Sequence, residues 1–321
     1  MVDGKRVGRT FDTKQDAVYW AAGIKTKAAE AERSPRSLTV SGAVDRYIES
    51  KSAILSPSTI AGYKKIKSNL MDKISNIQLY DLTQERVQRW VNSMVKDSKS
   101  PKTIANAHGL LSAVLAEYRP GMALHTTLPQ KTKSEIQIPS ETDIKAILTA
   151  AKGTRYELPI VLAIWLGLRQ SEILGLTWDS IEGTTLHIRR AIVMGEDGPV
   201  EKGTKTYAGT RSIQMPPYIV DMLSAYPHTG DHIINVSAKA IYSGFCRICE
   251  KAGVKHYRFH DLRHTNASAM LAIGVPDKYS MKRMGHATNN MLKTTYQHTI
   301  KEKELEYDQK INEYFLKLLP E

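Results

Sequence analysis

Cysteine is nearly absent from this chain of 321 residues: Cys246 and Cys249 are the only two, which excludes a disulfide scaffold and suits a reducing compartment. Long apolar runs are missing as well. The longest, Ile160 to Leu168, is cut off by Arg169, far short of the roughly 18 residues of a membrane span. The N-terminus, MVDGKRVGRT, lacks the apolar stretch of a signal peptide, so the chain is expected in the cytoplasm and away from membranes. There is no internal repeat, no low-complexity tract and no metal motif, and neither a metal nor a cofactor is expected.

What the chain has in excess is positive charge. It carries 45 Lys+Arg against 33 Asp+Glu, a net charge of +12, which favours a polyanionic partner, nucleic acid first; net charge for solubility is the competing explanation. Hydrophobic residues at 41% and charged residues at 24% fit a globular protein long enough for two domains and an appendage.

Punctuation along the chain divides it into residues 1–33, a partial segment; 38–120, a small all-helical domain; 121–139, an extended basic linker; and 140–321, a second, mainly helical domain. Arg33-Ser34-Pro35-Arg36-Ser37 has linker composition. Ser56-Pro57 and Ser100-Pro101 each pair an N-cap serine with proline at the first helical position, and Thr83 opens a third helix through Val87, Trp90, Val91 and Met94. Lys64, Lys65 and Lys67 cluster beside Tyr63, and with Lys102 they are candidate DNA contacts; a solvated helix face explains the cluster equally well. Arg119-Pro120-Gly121 stops the last helix of this domain, and Ser140-Glu141-Thr142-Asp143 reads as a capping box opening the next domain. Thr185 to Met215 is a β-rich island around Gly195 to Gly198. The fold class is therefore mainly α, with a small β-sheet in the second domain.

The chemistry-bearing residues lie in that second domain. Arg169, in GLRQSEILGL, leaves an apolar run at a turn, where a fixed guanidinium fork suits a phosphate; pairing with Glu172 is the structural alternative. His260 and Arg263, in HDLRH, share a helix face. His286 follows in MGH and Tyr296 in KTTYQH, ten positions later. Each alone could be a core or surface residue. In this order, with Lys205 in GTKTYAGTRSIQM, they resemble the tyrosine recombinase family, phage and mobile-element integrases in particular. The departure is Met284 where the family usually has leucine.

The resemblance implies a helical core-type DNA-binding domain and a mixed α/β catalytic domain clamped around DNA. It implies a tyrosine nucleophile, Tyr296; Arg169 and Arg263 on the scissile phosphate with His286 adding a hydrogen bond; His260 as a base; and Lys205, preferred over Lys202, as the proton donor to the leaving 5′ oxygen. It further implies a 3′-phosphotyrosyl intermediate, a Holliday junction, a homo-tetramer on double-stranded attachment sites, and a place for a directionality factor and a DNA-bending host protein, in the cytoplasm of a bacterial or phage-infected cell. Residues 4–20 resemble the last strand and helix of the family's arm-type DNA-binding domain, whose earlier strands are missing. Asp261 and Glu172 are expected to orient His260 or the arginines, and His264 to pack its helix. Cys246 and Cys249 with His256 have the wrong spacing for a zinc finger. The apolar spacing of Leu305, Ile311, Phe315 and Leu318 lets the tail dock either on a neighbouring protomer or on its own domain.

Overall fold

The computed structural model describes residues 38–131, 136–203 and 209–285, with isolated positions near either terminus. The chain divides into two compact units, Met1–Lys133 with Gly195–Asp197, and Ser134–Met194 with Gly198–Glu321.

The first unit is a set of helices, α1 (Val40–Lys51), α2 (Pro57–Leu70), the single turn α3 (Asp72–Ser75), α4 (Gln84–Lys96) and α5 (Pro101–Tyr118). Proline opens α2 and α5, where its missing N–H has no partner to lose. Ser100 caps α5, accepting from the Thr103 N–H at 3.1 Å, and Thr83 caps α4. Ser56, expected to do the same for α2, makes no side-chain cap and instead pairs with the Ser58 hydroxyl at 3.0 Å. Val44, Leu79, Val87, Trp90, Leu111 and Val114 fill one continuous core. Two polar side chains beside it find carbonyl partners: the Trp90 indole N–H donates to the Leu70 carbonyl at 2.6 Å, and Arg119, just past α5, donates to the carbonyls of Leu79 and Leu82 at 2.9 and 2.8 Å. The segment after α5 is not wholly loose linker. Gln88 accepts from the Thr127 N–H at 2.9 Å and donates back to its carbonyl at 3.1 Å, so this stretch lies along α4.

The second unit opens with α6 (Glu141–Ala151), whose capping box closes through Ser140 and Asp143. Helix α7 (Glu157–Trp165) is buried almost throughout, as its uninterrupted apolar sequence requires. The short α8 (Gln170–Leu174) follows. Strands β1 (Ile181–Glu182), β2 (Thr185–Ile188) and β5 (Arg211–Gln214) form one antiparallel sheet in the order β1-β2-β5, and β3 (Arg190–Met194) pairs with β4 (Pro199–Gly203) in a separate hairpin. Helices α9 (Pro217–Ser224), α10 (Ala238–Lys251), α11 (Phe259–Ala272) and α12 (Asp277–Met284) complete the unit around a core containing Ile160, Leu168, Ile213, Phe245 and Leu262. Two close approaches demand glycine. A Cβ on Gly175 would come within 2.8 Å of the Arg190 backbone, and one on Gly244 would collide with the Tyr156 ring. Among the described residues no helix is long and apolar enough to cross a membrane.

Candidate active site

The end of α7 sets the site. Gly167 turns the chain in the left-handed region, at φ +63°, and a Cβ there would lie 2.7 Å from the Met284 sulfur and 2.9 Å from the Asn266 amide oxygen. Glycine thus lets the end of α7, the middle of α11 and the end of α12 meet. Arg169 emerges from this turn as the N-cap of α8. One turn on, Glu172 is 3% exposed, and a buried carboxylate stays charged only when several donors replace water.

Those donors are arginines. The Arg169 backbone N–H and Nη1 donate to Glu172 at 2.9 and 2.6 Å. Arg211, opening β5, grips the same carboxylate with both terminal nitrogens, at 3.1 and 2.9 Å. Arg263 of α11 brings its Nη1 to 3.9 Å. Burial is the largest single influence on the Glu172 carboxyl and favours its neutral form; the Arg211 hydrogen bonds and the charges of Arg211, Arg169 and Arg263 overcome it and hold the pKa at about 2. Three guanidinium groups around one carboxylate leave a surplus of two positive charges.

The same arginines fasten the end of α12. Arg169 Nη2 donates to the Gly285 carbonyl at 3.1 Å, Arg211 Nε to the Arg283 carbonyl at 2.8 Å, and Arg263 to the carbonyls of Met284 and Gly167. Gly285 itself closes α12 in the left-handed conformation, at φ 62°. The two arginines singled out from sequence differ in access. The Arg169 side chain is 34% exposed and that of Arg263 2%.

His260 stands in the first turn of α11, edge-on to His264 with ring centroids 4.9 Å apart. His260 is exposed to solvent. Desolvation by the protein around it, followed by the positive surroundings of His264, Arg263 and Arg169, lowers its pKa to about 4, so it is neutral at physiological pH and can accept a proton. Asp261 caps α11 through the Arg258 N–H at 2.8 Å and pairs with the Arg258 guanidinium at 2.7 Å, fixing the helix start that carries His260. His264 is buried within its helix.

The structure thus brings Arg169, Arg263 and His260 to neighbouring elements, whereas Lys205, His286 and Tyr296 lie outside the described residues. Of the candidate DNA contacts, Lys64 and Lys65 are exposed on α2 and Lys102 on α5. Lys67 is half-buried and pairs with Asp45 of α1 at 2.6 Å, which favours the solvated-face explanation for that residue. Cys249 is buried on α10, and half-buried Cys246 meets the His256 ring at 2.9 Å. Among the described residues no group of three or more His, Cys, Asp or Glu is arranged to hold a metal ion.

Arg211 is the functional residue that sequence reasoning passes over. Its signal is an arginine in phase with the inward-facing Ile213 of a strand, a position that calls for a buried acid.

Known proteins resemble the chain in sequence and in fold. Residues 139–303 match the model of the phage integrase family, and residues 39–95 that of the phage integrase N-terminal SAM-like domain. The chain is 26% identical to a XerC-like tyrosine recombinase of Caldanaerobacter subterraneus over 80% of this chain and 78% of that protein. To the prophage phiRv2 integrase of Mycobacterium tuberculosis it is 25% identical, over 93% of this chain and 86% of the relative. Its fold is that of the Tn1549 transposon integrase in complex with circular intermediate DNA (TM-score 0.70, 18% identity, 85% of this chain and 99% of the other). It is equally that of the lambda integrase tetramer bound to a Holliday junction (TM-score 0.64, 18% identity, 92% and 90%). With the catalytic family model spanning half the chain and the SAM-like domain model preceding it, the chain belongs to the phage integrase family, the tyrosine recombinases, enzymes of site-specific DNA recombination.

Proposed function

We propose that this chain is the integrase of a phage or other mobile element, cutting and rejoining duplex DNA at attachment sites through a 3′-phosphotyrosyl bond to Tyr296. The observation that carries the reading is the surplus of two positive charges left when Arg169, Arg211 and Arg263 share Glu172. A phosphodiester carries one negative charge, and the state in which a fifth oxygen bonds to phosphorus carries two. Fixed cations stabilise the second charge without reorganising.

Access divides the labour between the two sequence-designated arginines. Arg169 presents exposed guanidinium edge to the non-bridging oxygens, and Arg263, buried behind it, acts through its charge and through its hold on the Met284 carbonyl, two residues before His286. His286 adds a hydrogen bond to the phosphate. Neutral His260 takes the proton of Tyr296 as its oxygen attacks phosphorus; the bond to the 5′ oxygen breaks, and Lys205 supplies that oxygen with a proton. The ester conserves the bond free energy, so a 5′-hydroxyl from a partner strand reseals the backbone without ATP. Two such exchanges through a Holliday junction, carried out by four copies on two attachment sites in the cytoplasm, complete recombination. Exposed Lys64, Lys65 and Lys102 supply backbone contacts from the first unit, with a directionality factor or bending protein setting the direction.

A supercoiled plasmid carrying two copies of the junction sequence flanking the gene, incubated with the protein and a chelator, tests this reading. Deleted or inverted plasmid is the expected product. Relaxation without partner exchange would point to a topoisomerase, which shares the chemistry but does not exchange strands.

A further inference from the structure

The hairpin strand β4 leads directly toward Lys205, and its hold on the rest of its unit is unusual. Among the described residues it pairs through its backbone with β3 alone, in a sheet of two strands. Its five residues are exposed apart from half-buried Lys202, so little apolar burial sets its position. Its acidic side chain, Glu201, meets the Arg190 guanidinium and the His232 ring, both fixed to the body of the unit. Arg190 is locked against the turn after α8, donating from Nη1 to the Thr177 hydroxyl at 2.7 Å and from Nη2 to Asp179 at 2.9 Å, and its Nε faces Glu201 at 3.7 Å. His232 is joined to Thr177 by an isolated β-bridge, has its Nδ1 buried, and turns its Nε2 to the other Glu201 oxygen at 3.7 Å.

Geometry makes this consequential. Lys205 follows Gly203, the last residue of β4, by two positions, and two residues span no more than about 7 Å. Wherever β4 ends therefore bounds where the lysine amine can be. We infer that Glu201, held between Arg190 and His232, is a positioning residue that sets the reach of the Lys205 proton donor. The inference rests on the reading of Lys205 as general acid given above. Glu201 touches no reacting atom; it acts through the strand.

The test uses the chemistry of the leaving group. A 5′ oxygen must gain a proton as it leaves, whereas a sulfur in the same bridging position leaves as a thiolate and needs none. Single-turnover cleavage by the full chain is measured on duplexes carrying the junction sequence, with either oxygen or sulfur at the scissile 5′ bridge, for wild type, Glu201→Gln, Glu201→Ala and Lys205→Ala. An exposed ion pair is worth ~0.2 to 1 kcal/mol, so loss of the Glu201–Arg190 pair should slow cleavage of the oxygen substrate about 1.4- to fivefold and leave the sulfur substrate at the wild-type rate. Equal slowing on both substrates, or slowing on neither, overturns the role of Glu201. If Lys205→Ala is slow on oxygen and recovers on sulfur, the general-acid reading stands whatever Glu201 does. If Lys205→Ala fails to recover, that reading falls and takes this inference with it.

Discussion

The two units of this chain treat charge in opposite ways. In the helical unit the core is apolar and continuous, and its ion pairs, such as Lys67 with Asp45 and Lys73 with Asp97, lie at the surface. In the catalytic unit Glu172, Arg211 and Arg263 are buried together, and the backbone carbonyls of Gly167 and of the end of α12 turn toward them. Stability alone does not call for such a cluster, because buried ion pairs rarely outperform apolar packing. The contrast teaches where to look for chemistry. One unit obeys the rule that charge stays in water, and the other breaks it at the place where a phosphate would be held.

The contrast can be broken from its strongest side first. Replacing Glu172 with alanine strands three guanidinium groups around an empty seat, and denaturant melts should show a loss of ~3 to 5 kcal/mol in the second unit. Leu111→Ala in the first unit, a cavity of ordinary kind, should cost ~2 to 5 kcal/mol and leave cleavage per folded molecule unchanged. Arg169→Ala should lower the cleavage rate ~100- to 1,000-fold, equivalent to ~3 to 4 kcal/mol in the transition state, with DNA binding largely retained in gel shifts.

Acid offers a comparison that needs no mutation. The Glu172 pKa lies below its ordinary value of 4.5, at about 2. A depressed carboxylate stabilises the fold fully above its unfolded pKa, and that stabilisation, on the order of 3 kcal/mol, disappears as pH falls from 4.5 through about 2. Hydrogen exchange across this window should show protection falling more steeply around α8 and β5 than around α4 and α5. The smallest effect belongs to the surface pair: Lys67→Ala should change stability by ~0 to 1 kcal/mol. Lys65→Ala should reduce the salt slope of DNA binding by about one if that side chain meets a phosphate.

Local rules made much of the framework legible. Helix starts at Pro57, Gln84 and Pro101, the capping box at Ser140, and a hairpin turning about Gly195 to Gly198 all follow from short-range backbone chemistry. Arg169, His260 and Arg263 were legible because their ordered motifs survive as short strings. What was not legible is convergence. Glu172 and Arg211 are 39 positions apart, and no periodicity announces that they meet; nor does the motif say that Asp261 takes Arg258 as its partner. The accessibility that separates Arg169 from Arg263 depends on how α7, α11 and α12 pack around Gly167, which single-residue motifs do not encode.

The central claim is a covalent bond between Tyr296 and DNA, and it is tested most directly by incubating wild-type and Tyr296→Phe protein with junction DNA, in chelator and without ATP, then resolving the products in SDS. An SDS-resistant adduct from wild type, absent from Tyr296→Phe although both bind the DNA, is the predicted result. An adduct or strand cleavage that persists in Tyr296→Phe would contradict the account.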